Sequence, residues 1–295
     1  MSTTRCYYGS MVIDFHTHIF PPQVRERRED YLRRDPAFAQ MYAHPKAQIA
    51  TAEELLASME EAEVDTSVVQ GFAWSEQELC REHNEYLLET AARSGGRLIP
   101  FCAIQPRAGD DALAEIERCV HDGARGLGEL RPESQGYSLD EGAGDILAGA
   151  ALRHELALLF HVSEPVGHAY PGKTGLGLDA FYRFVSCHQG LTAVGAHWAG
   201  GLPFYALMPE VREALANVYV DTAATPFLYG PAVYRQVAEL VGAERILFGS
   251  DYPLVSQRRE RQAIEEGFSG DGVARRLVLG ENATRLLRLG HDEKR

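Results

Sequence analysis

Residues 11–20 read MVIDFHTHIF, an apolar run rich in β-branched and aromatic side chains that carries two histidines two positions apart. As a strand, with alternate residues on opposite sides, it sends Asp14, His16 and His18 to one face. Two imidazoles at that spacing can grip one metal ion. An isolated pair of this kind also occurs as ordinary surface or core histidines, so the weight falls on what the rest of the chain repeats.

Seven further runs have the same character: VDTSVVQGFA at 64–73, RLIPFCAIQP at 97–106, ARGLGELRP at 124–132, ALLFHVSE at 157–164, LTAVGAHWAG at 191–200, NVYVDTAA at 217–224 and RILFGSDYP at 245–253. Between them lie segments with helical composition and apolar stripes, at 77–93, 110–122, 143–155 and 179–187. Thr51 and Glu54 make a capping box at the head of another, TAEELLASMEEAE. Continuous apolar strands alternating with helices predict a parallel sheet covered on its outer face. Eight repeats favour a single (β/α)8 barrel domain over residues 1–295, with an open doubly wound sheet as the alternative. No GxGxxG or GxxxxGK[ST] loop follows the first run, which removes the usual nucleotide signal of that alternative. The charged, proline-interrupted segment 21–50 is too long for an ordinary connection and is expected to form a lid; the glycine-rich stretch 167–178 is a second candidate.

Composition narrows the function classes. With 45% hydrophobic and 24% charged residues the chain can bury a large core, and 29 Lys+Arg against 42 Asp+Glu give a net charge of −13. Such a balance disfavours nucleic acid and anionic membrane surfaces as partners. The opening residues lack a signal-peptide core and no stretch approaches ~20 apolar residues, so a cytoplasmic location is expected. Five scattered cysteines, Cys6, Cys80, Cys102, Cys119 and Cys187, form no CxxC pair and read as free thiols.

The metal expectation strengthens because ligand-type residues recur at the ends of later runs. His161 ends ALLFH, His197 ends TAVGAH, Asp251 ends ILFGSD and Glu129 closes ARGLGE. In a barrel, equivalent strand ends converge on one mouth, and imidazoles with carboxylates suit Zn, Mn or a similar divalent ion. Glu129 has another reading as an ion-pair partner of Arg131 or Arg125, and Asp251 as a turn cap. His44, His83, His121, His154, His188 and His291 fall in loops or helices and are expected to be solvated or structural.

With these residues in place, the chain resembles the amidohydrolase superfamily, in particular its amidohydrolase-related branch, which holds aminocarboxymuconate-semialdehyde decarboxylase-like and resorcylate decarboxylase-like enzymes beside hydrolases. The resemblance rests on DFHTHIFPP, LLFHVSEPVGH, VGAHWAGGLPFY, ILFGSDYPL and LVLGENATRLLRL, in that order and over nearly the whole chain. It implies that His16, His18, His161 and Asp251 bind a catalytic divalent metal, Zn first among the candidates, with His197 beside it. Glu129 resembles the bridging glutamate of TatD-type and phosphotriesterase-homology enzymes, which leaves one or two ions open. A homo-oligomer is what the resemblance implies for assembly.

Three functions remain. The first is a hydrolase of a small-molecule amide, ester or lactone, in which the ion lowers the pKa of water from about 15.7 to about 7. In it Asp251 shuttles the proton and His197 stabilises the oxyanion. The alternative is a metal-dependent decarboxylase of a carboxylated substrate, aromatic ones included. The third, a non-catalytic ligand-binding barrel, is opposed by the intact donor set. For substrate contacts the loop after His161 offers Glu164, His168, Tyr170 and Lys173, the last able to meet an anion. Trp198, with Phe204 and Tyr205, is a candidate for the pocket wall.

Overall fold

Each apolar run becomes one strand of a parallel barrel in the computed structural model, which describes residues 11–140, 142–173 and 175–289. The strands are β1 Ile13–His18, β2 Thr66–Gln70, β3 Leu98–Cys102, β4 Gly126–Leu130, β5 Ala157–Phe160, β6 Ala193–Gly195, β7 Val218–Asp221 and β8 Ile246–Leu247. They pair in sequence order, each parallel to the next. Phe15 N donates to Phe248 O at 2.6 Å and His18 N to Tyr252 O at 2.7 Å, bringing the last strand back to the first. The open-sheet alternative is excluded.

Burial explains the composition of these runs. Inside the barrel Ile13, Phe15, Val68, Phe101, Leu159, Val194 and Leu247 pack together, and Leu287 packs against them from the C-terminal region. A second, larger layer, including Val69, Leu127, Leu158 and Ile246, faces the helices outside. Neighbouring residues thus enter opposite layers, and both are apolar, which is why the runs read as continuous and not alternating. Each such side chain withdrawn from water contributes about 1.5–3 kcal/mol before entropy is set against it.

The expected helices stand at Ala52–Ala62, Gln77–Arg93, Asp110–His121, Ala143–His154 and Leu178–Cys187. The first carries its capping box, with Thr51 N donating to Glu54 Oε2 at 2.8 Å. Among the described residues no helix is long and apolar enough to cross a membrane. Cys80, Cys102 and Cys119 are buried free thiols and Cys187 is an exposed one; Cys6 lies outside the described residues.

Segment 21–50 folds as three short helices, Pro22–Glu26, Arg28–Arg34 and Pro36–Tyr42, two of them opened by proline. Phe38 stacks on Trp74 and Tyr42, and Phe20, Tyr31 and Phe72 complete an aromatic cluster beside the barrel mouth. Buried Asp35 pins this lid. Its Oδ1 accepts from Phe38 N at 2.8 Å, and its Oδ2 accepts from Ser75 N at 2.7 Å and Ser75 Oγ at 2.6 Å.

Candidate metal centre and active site

His16 and His18 come from the C-terminal end of β1 and Glu129 from β4; His161 directly follows β5, while His197 and Asp251 lie in the turns just past β6 and β8. The barrel brings all six together. His16 Nε2 lies 3.0 Å from His18 Nε2, and His161 Nδ1 lies 3.1 Å from His197 Nε2. Glu129 Oε1 stands 2.8 Å from His161 Nδ1 and 3.3 Å from His197 Nε2, while its Oε2 is 3.7 Å from His18 Nε2. Asp251 Oδ1 is 3.4 Å from His18 Nε2 and 3.8 Å from His16 Nε2. Two donor groups able to hold an ion result, His16 with His18 and Glu129, and Glu129 with His161 and His197.

What fits these residues to a metal is the second nitrogen of three of the four rings. His16 Nδ1 meets Asp221 Oδ2 at 2.8 Å, His161 Nε2 meets Gly172 O at 3.0 Å, and His197 Nδ1 meets Ala223 O at 3.2 Å. Those acceptors hold the proton on the outward nitrogen and leave the inward one as a lone-pair donor, the arrangement a ligating histidine requires. Burial opposes charge on His16, yet the adjoining Asp221 carboxylate pushes its pKa up to about 10. His197, also buried, is raised to about 9 by Glu129 and Asp251. Burial would raise the Glu129 carboxyl as well, but His161 and His197 outweigh it and hold it well below its ordinary value. Without an ion the cluster therefore draws in protons where a cation belongs.

The backbone is strained at this point. His197, Trp198 and Ala199 have φ of 57°, 58° and 49°, and Asp251 has φ 61°, left-handed values that a side chain occupies at a cost of about 1–3 kcal/mol. The turn after β6 thereby aims His197 inward and sends Trp198 outward.

The donors floor a cavity of about 220 Å3, walled by Met41, Tyr42, Lys46, Gln48, Phe72, Arg131, Pro253 and Leu254 and roofed by the lid. A wider depression of about 460 Å3, lined among others by Arg125, Glu155, Leu191 and Arg288, lies near the N-terminal ends of β4, β5 and β6, away from the donors. Residues at that end of a barrel serve stability.

Several expectations need correcting. Trp198 is no wall residue: it is fully buried, donates from Nε1 to Thr225 Oγ1 at 2.9 Å and packs edge-on to Tyr234. Glu164, His168, Tyr170 and Lys173 do not line the cavity either. Their loop satisfies itself, Tyr170 donating to Glu164 at 3.0 Å and Lys173 donating to the carbonyls of Val166 and His168 at 2.6 and 2.9 Å. Phe204 and Tyr205 are partly exposed and likewise outside the wall. Asp14 leaves the face of His16 and His18, because the β1 register slips between Asp14 and Thr17; it accepts from Ser250 and Gln257 instead. Glu129 faces His161 and His197 and not Arg125. Of the remaining histidines, His83 is structural: its Nδ1 accepts from Phe72 N and Trp74 Nε1, and burial lowers its pKa to about 4. His291 and the tail after residue 289 lie outside the described residues.

Three participants escaped the sequence reading. Asp221, the last residue of β7, is buried beneath His16; Arg131, just past β4, and Tyr42, at the end of the lid, enter the cavity wall. Asp221 stands at a strand end like the donors, which was the available signal.

The amidohydrolase family model matches residues 13–289. The chain belongs to the amidohydrolase family. No curated protein sequence matches it. Among solved structures, 2,6-dihydroxybenzoate decarboxylase from Rhizobium is similar at 17% identity and TM-score 0.72, covering 95% of this chain and 99% of that one. The 5-carboxyvanillate decarboxylase of Sphingomonas paucimobilis gives 18% and 0.76, with 95% and 99% covered. That of Novosphingobium aromaticivorans, complexed with manganese and 4-hydroxy-3-methoxy-5-nitrobenzoic acid, gives 15% and 0.77, with 95% and 97% covered. At such identities the likeness establishes the fold. It also corrects the expectation of a hydrolase: this amidohydrolase's matching structures are mainly decarboxylases, and the second reading of the sequence is the better supported.

Proposed function

We propose that this amidohydrolase-family protein is a metal-dependent decarboxylase of a small carboxylated aromatic substrate. The observation that carries the reading is the size and lining of the space above the donors. A sphere of about 220 Å3 is roughly 7–8 Å across, room for one substituted ring between Tyr42, Phe72, Pro253 and Leu254. A hydrolase must accommodate both halves of a scissile bond. A decarboxylase needs only the ring and its acid group.

Four imidazoles and two carboxylates suit Mn or Zn, and manganese is the ion to load first because it is present in the similar 5-carboxyvanillate decarboxylase. When bound, the ion supplies a positive centre that holds a substrate carboxylate and its neighbouring oxygen. The chain's own groups do the rest. His16 and His161 keep their inward nitrogens unprotonated through Asp221 and Gly172 O. The Asp251 carboxylate, at the cavity wall, passes a proton taken up from solvent to the ring carbon that loses its carboxylate. The C–C bond breaks, carbon dioxide leaves, its electron pair stays on the ring, and one proton is consumed per turnover. Tyr42 and Phe72 keep water from the carbon during that exchange.

The test is a panel of hydroxybenzoates with Mn-loaded protein, read by carbon dioxide release and product chromatography, beside Asp251→Asn. One carbon dioxide per substrate consumed, lost in the variant, supports the reading. Turnover of esters, lactones or amides with no carbon dioxide from any carboxylate sinks it.

A further inference from the structure

Arg131 stands in the cavity wall, yet neither metal binding nor proton delivery uses it. It follows β4 directly, is 1% exposed, and shares the cavity with Glu129, Asp251 and the ligating histidines. Burial works against its charge and outweighs the support of the Glu129 and Asp251 carboxylates, lowering its pKa from the ordinary value. A guanidinium does not surrender its proton in a protein, so the pocket contains a permanent cation.

Its position is preorganised. Arg131 Nη2 donates to Gly172 O at 2.9 Å, the same carbonyl that meets His161 Nε2 at 3.0 Å, so one backbone oxygen orients both the cation and a metal ligand. Gly172 has φ 88°, and a Cβ there would collide with Met41 Sδ of the lid and crowd the Arg131 guanidinium. The loop after β5 thus presses against lid and arginine together, and only glycine permits the approach.

Charge decides what such a pocket accepts. One divalent ion and the carboxylates of Glu129 and Asp251 cancel, the imidazoles being neutral as ligands, and Arg131 with Lys46 of the lid segment leaves the lining positive, Arg131 being the buried one of the two. A space about one ring long puts any occupant that reaches the ion within range of Arg131 as well. We propose that Arg131 is a specificity-determining residue whose guanidinium binds an acid group of a one-ring substrate and restricts the site to anions. A planar guanidinium does this in two parallel hydrogen bonds, which a point charge does not reproduce. The inference rests on the decarboxylase reading for the substrate's class but not for the binding itself.

Calorimetric binding of benzoate and of benzamide to Mn-loaded wild type, Arg131→Gln and Arg131→Lys tests it, with metal content measured on every sample. The expected result is a benzoate-over-benzamide preference in wild type that falls about tenfold or more in Arg131→Gln and by less in Arg131→Lys, at unchanged metal content. Arg131→Gln that weakens both probes alike identifies a merely structural role through Gly172 and overturns the proposal. If Arg131→Gln does not fold or load metal, Arg131→Lys still decides, because a preference equal to wild type there overturns it too. Benzoate selectivity without carbon dioxide release from any substrate would sink the decarboxylase reading and leave this inference standing.

Discussion

Asp221→Asn separates a metal centre from a mere cluster of buried histidines. Asp221 Oδ1 accepts from His197 N at 2.8 Å and Ala223 N at 3.1 Å, and Oδ2 meets His16 Nδ1 at 2.8 Å. In the asparagine variant the two backbone donors retain the amide oxygen, so the NH2 group is forced towards His16. His16 must then accept at Nδ1 and carry its proton on Nε2, the nitrogen that faces His18 and the ion. Loss of such an orienting partner weakens metal binding by about 10–100-fold, or roughly 1.4–2.7 kcal/mol. The fold is spared because shape and backbone hydrogen bonds persist, whereas Asp221→Ala would strand two buried N–H groups at ~1–3 kcal/mol each.

The measurement is competitive titration of Mn or Zn against a chromogenic chelator, with thermal melts at fixed ion concentration. At free ion about 100 times the wild-type Kd, wild type gains about 2.7 kcal/mol and the variant only about 0.4–1.4. The variant's metal-free melt should match that of wild type. A variant that binds metal within about twofold of wild type would refute the claim that His16 Nε2 is a ligand oriented by Asp221.

Glu129 belongs to both donor groups, so Glu129→Gln should lower the metal bound per chain by elemental mass spectrometry, and unchanged stoichiometry would remove Glu129 from coordination. Glu260, fully buried and accepting from Tyr234 at 2.6 Å, has its carboxyl raised by burial to about 8. The native chain therefore holds this proton more tightly than the unfolded one; that stability is fully present below about pH 4.5 and is lost as pH rises to about 8. Glu260→Gln should accordingly melt several degrees above wild type at pH 8.5, at roughly 2–4 °C per kcal/mol, with the advantage vanishing near pH 4.5. An equal difference at both pH values would show that ionisation is not the cause.

The strands and the six donors were legible because one physical rule governs both. A parallel strand buried on two faces must be apolar throughout, so a histidine or carboxylate at its end stands out against the run, as His161 does after ALLF and Asp251 after ILFGS. The same rule covered Asp221 at the end of NVYVD, but a carboxylate there reads equally well as a ligand or as a ligand's support. Only the 2.8 Å contact with the outward nitrogen of His16 separates the two. Asp14 misled for a related reason: alternation places it with His16 and His18 until a register slip, invisible in the sequence, turns it towards Gln257.

Loop residues follow no such rule, since strand ends specify how high above the barrel a side chain begins but not whether it turns inward. Trp198 neighbours a ligand and yet lies in the outer layer, because five consecutive residues of positive φ, 197–201, reverse the chain there. Lys173 carries the charge expected of an anion site but spends its donors on Val166 O and His168 O within its own loop. Arg131, which with Lys46 does enter the cavity lining, sits two residues beyond Glu129 and reads from sequence as that carboxylate's counter-ion. Its role depends on Gly172 and Met41 meeting above it, a contact between segments about 130 residues apart, which local pattern does not encode.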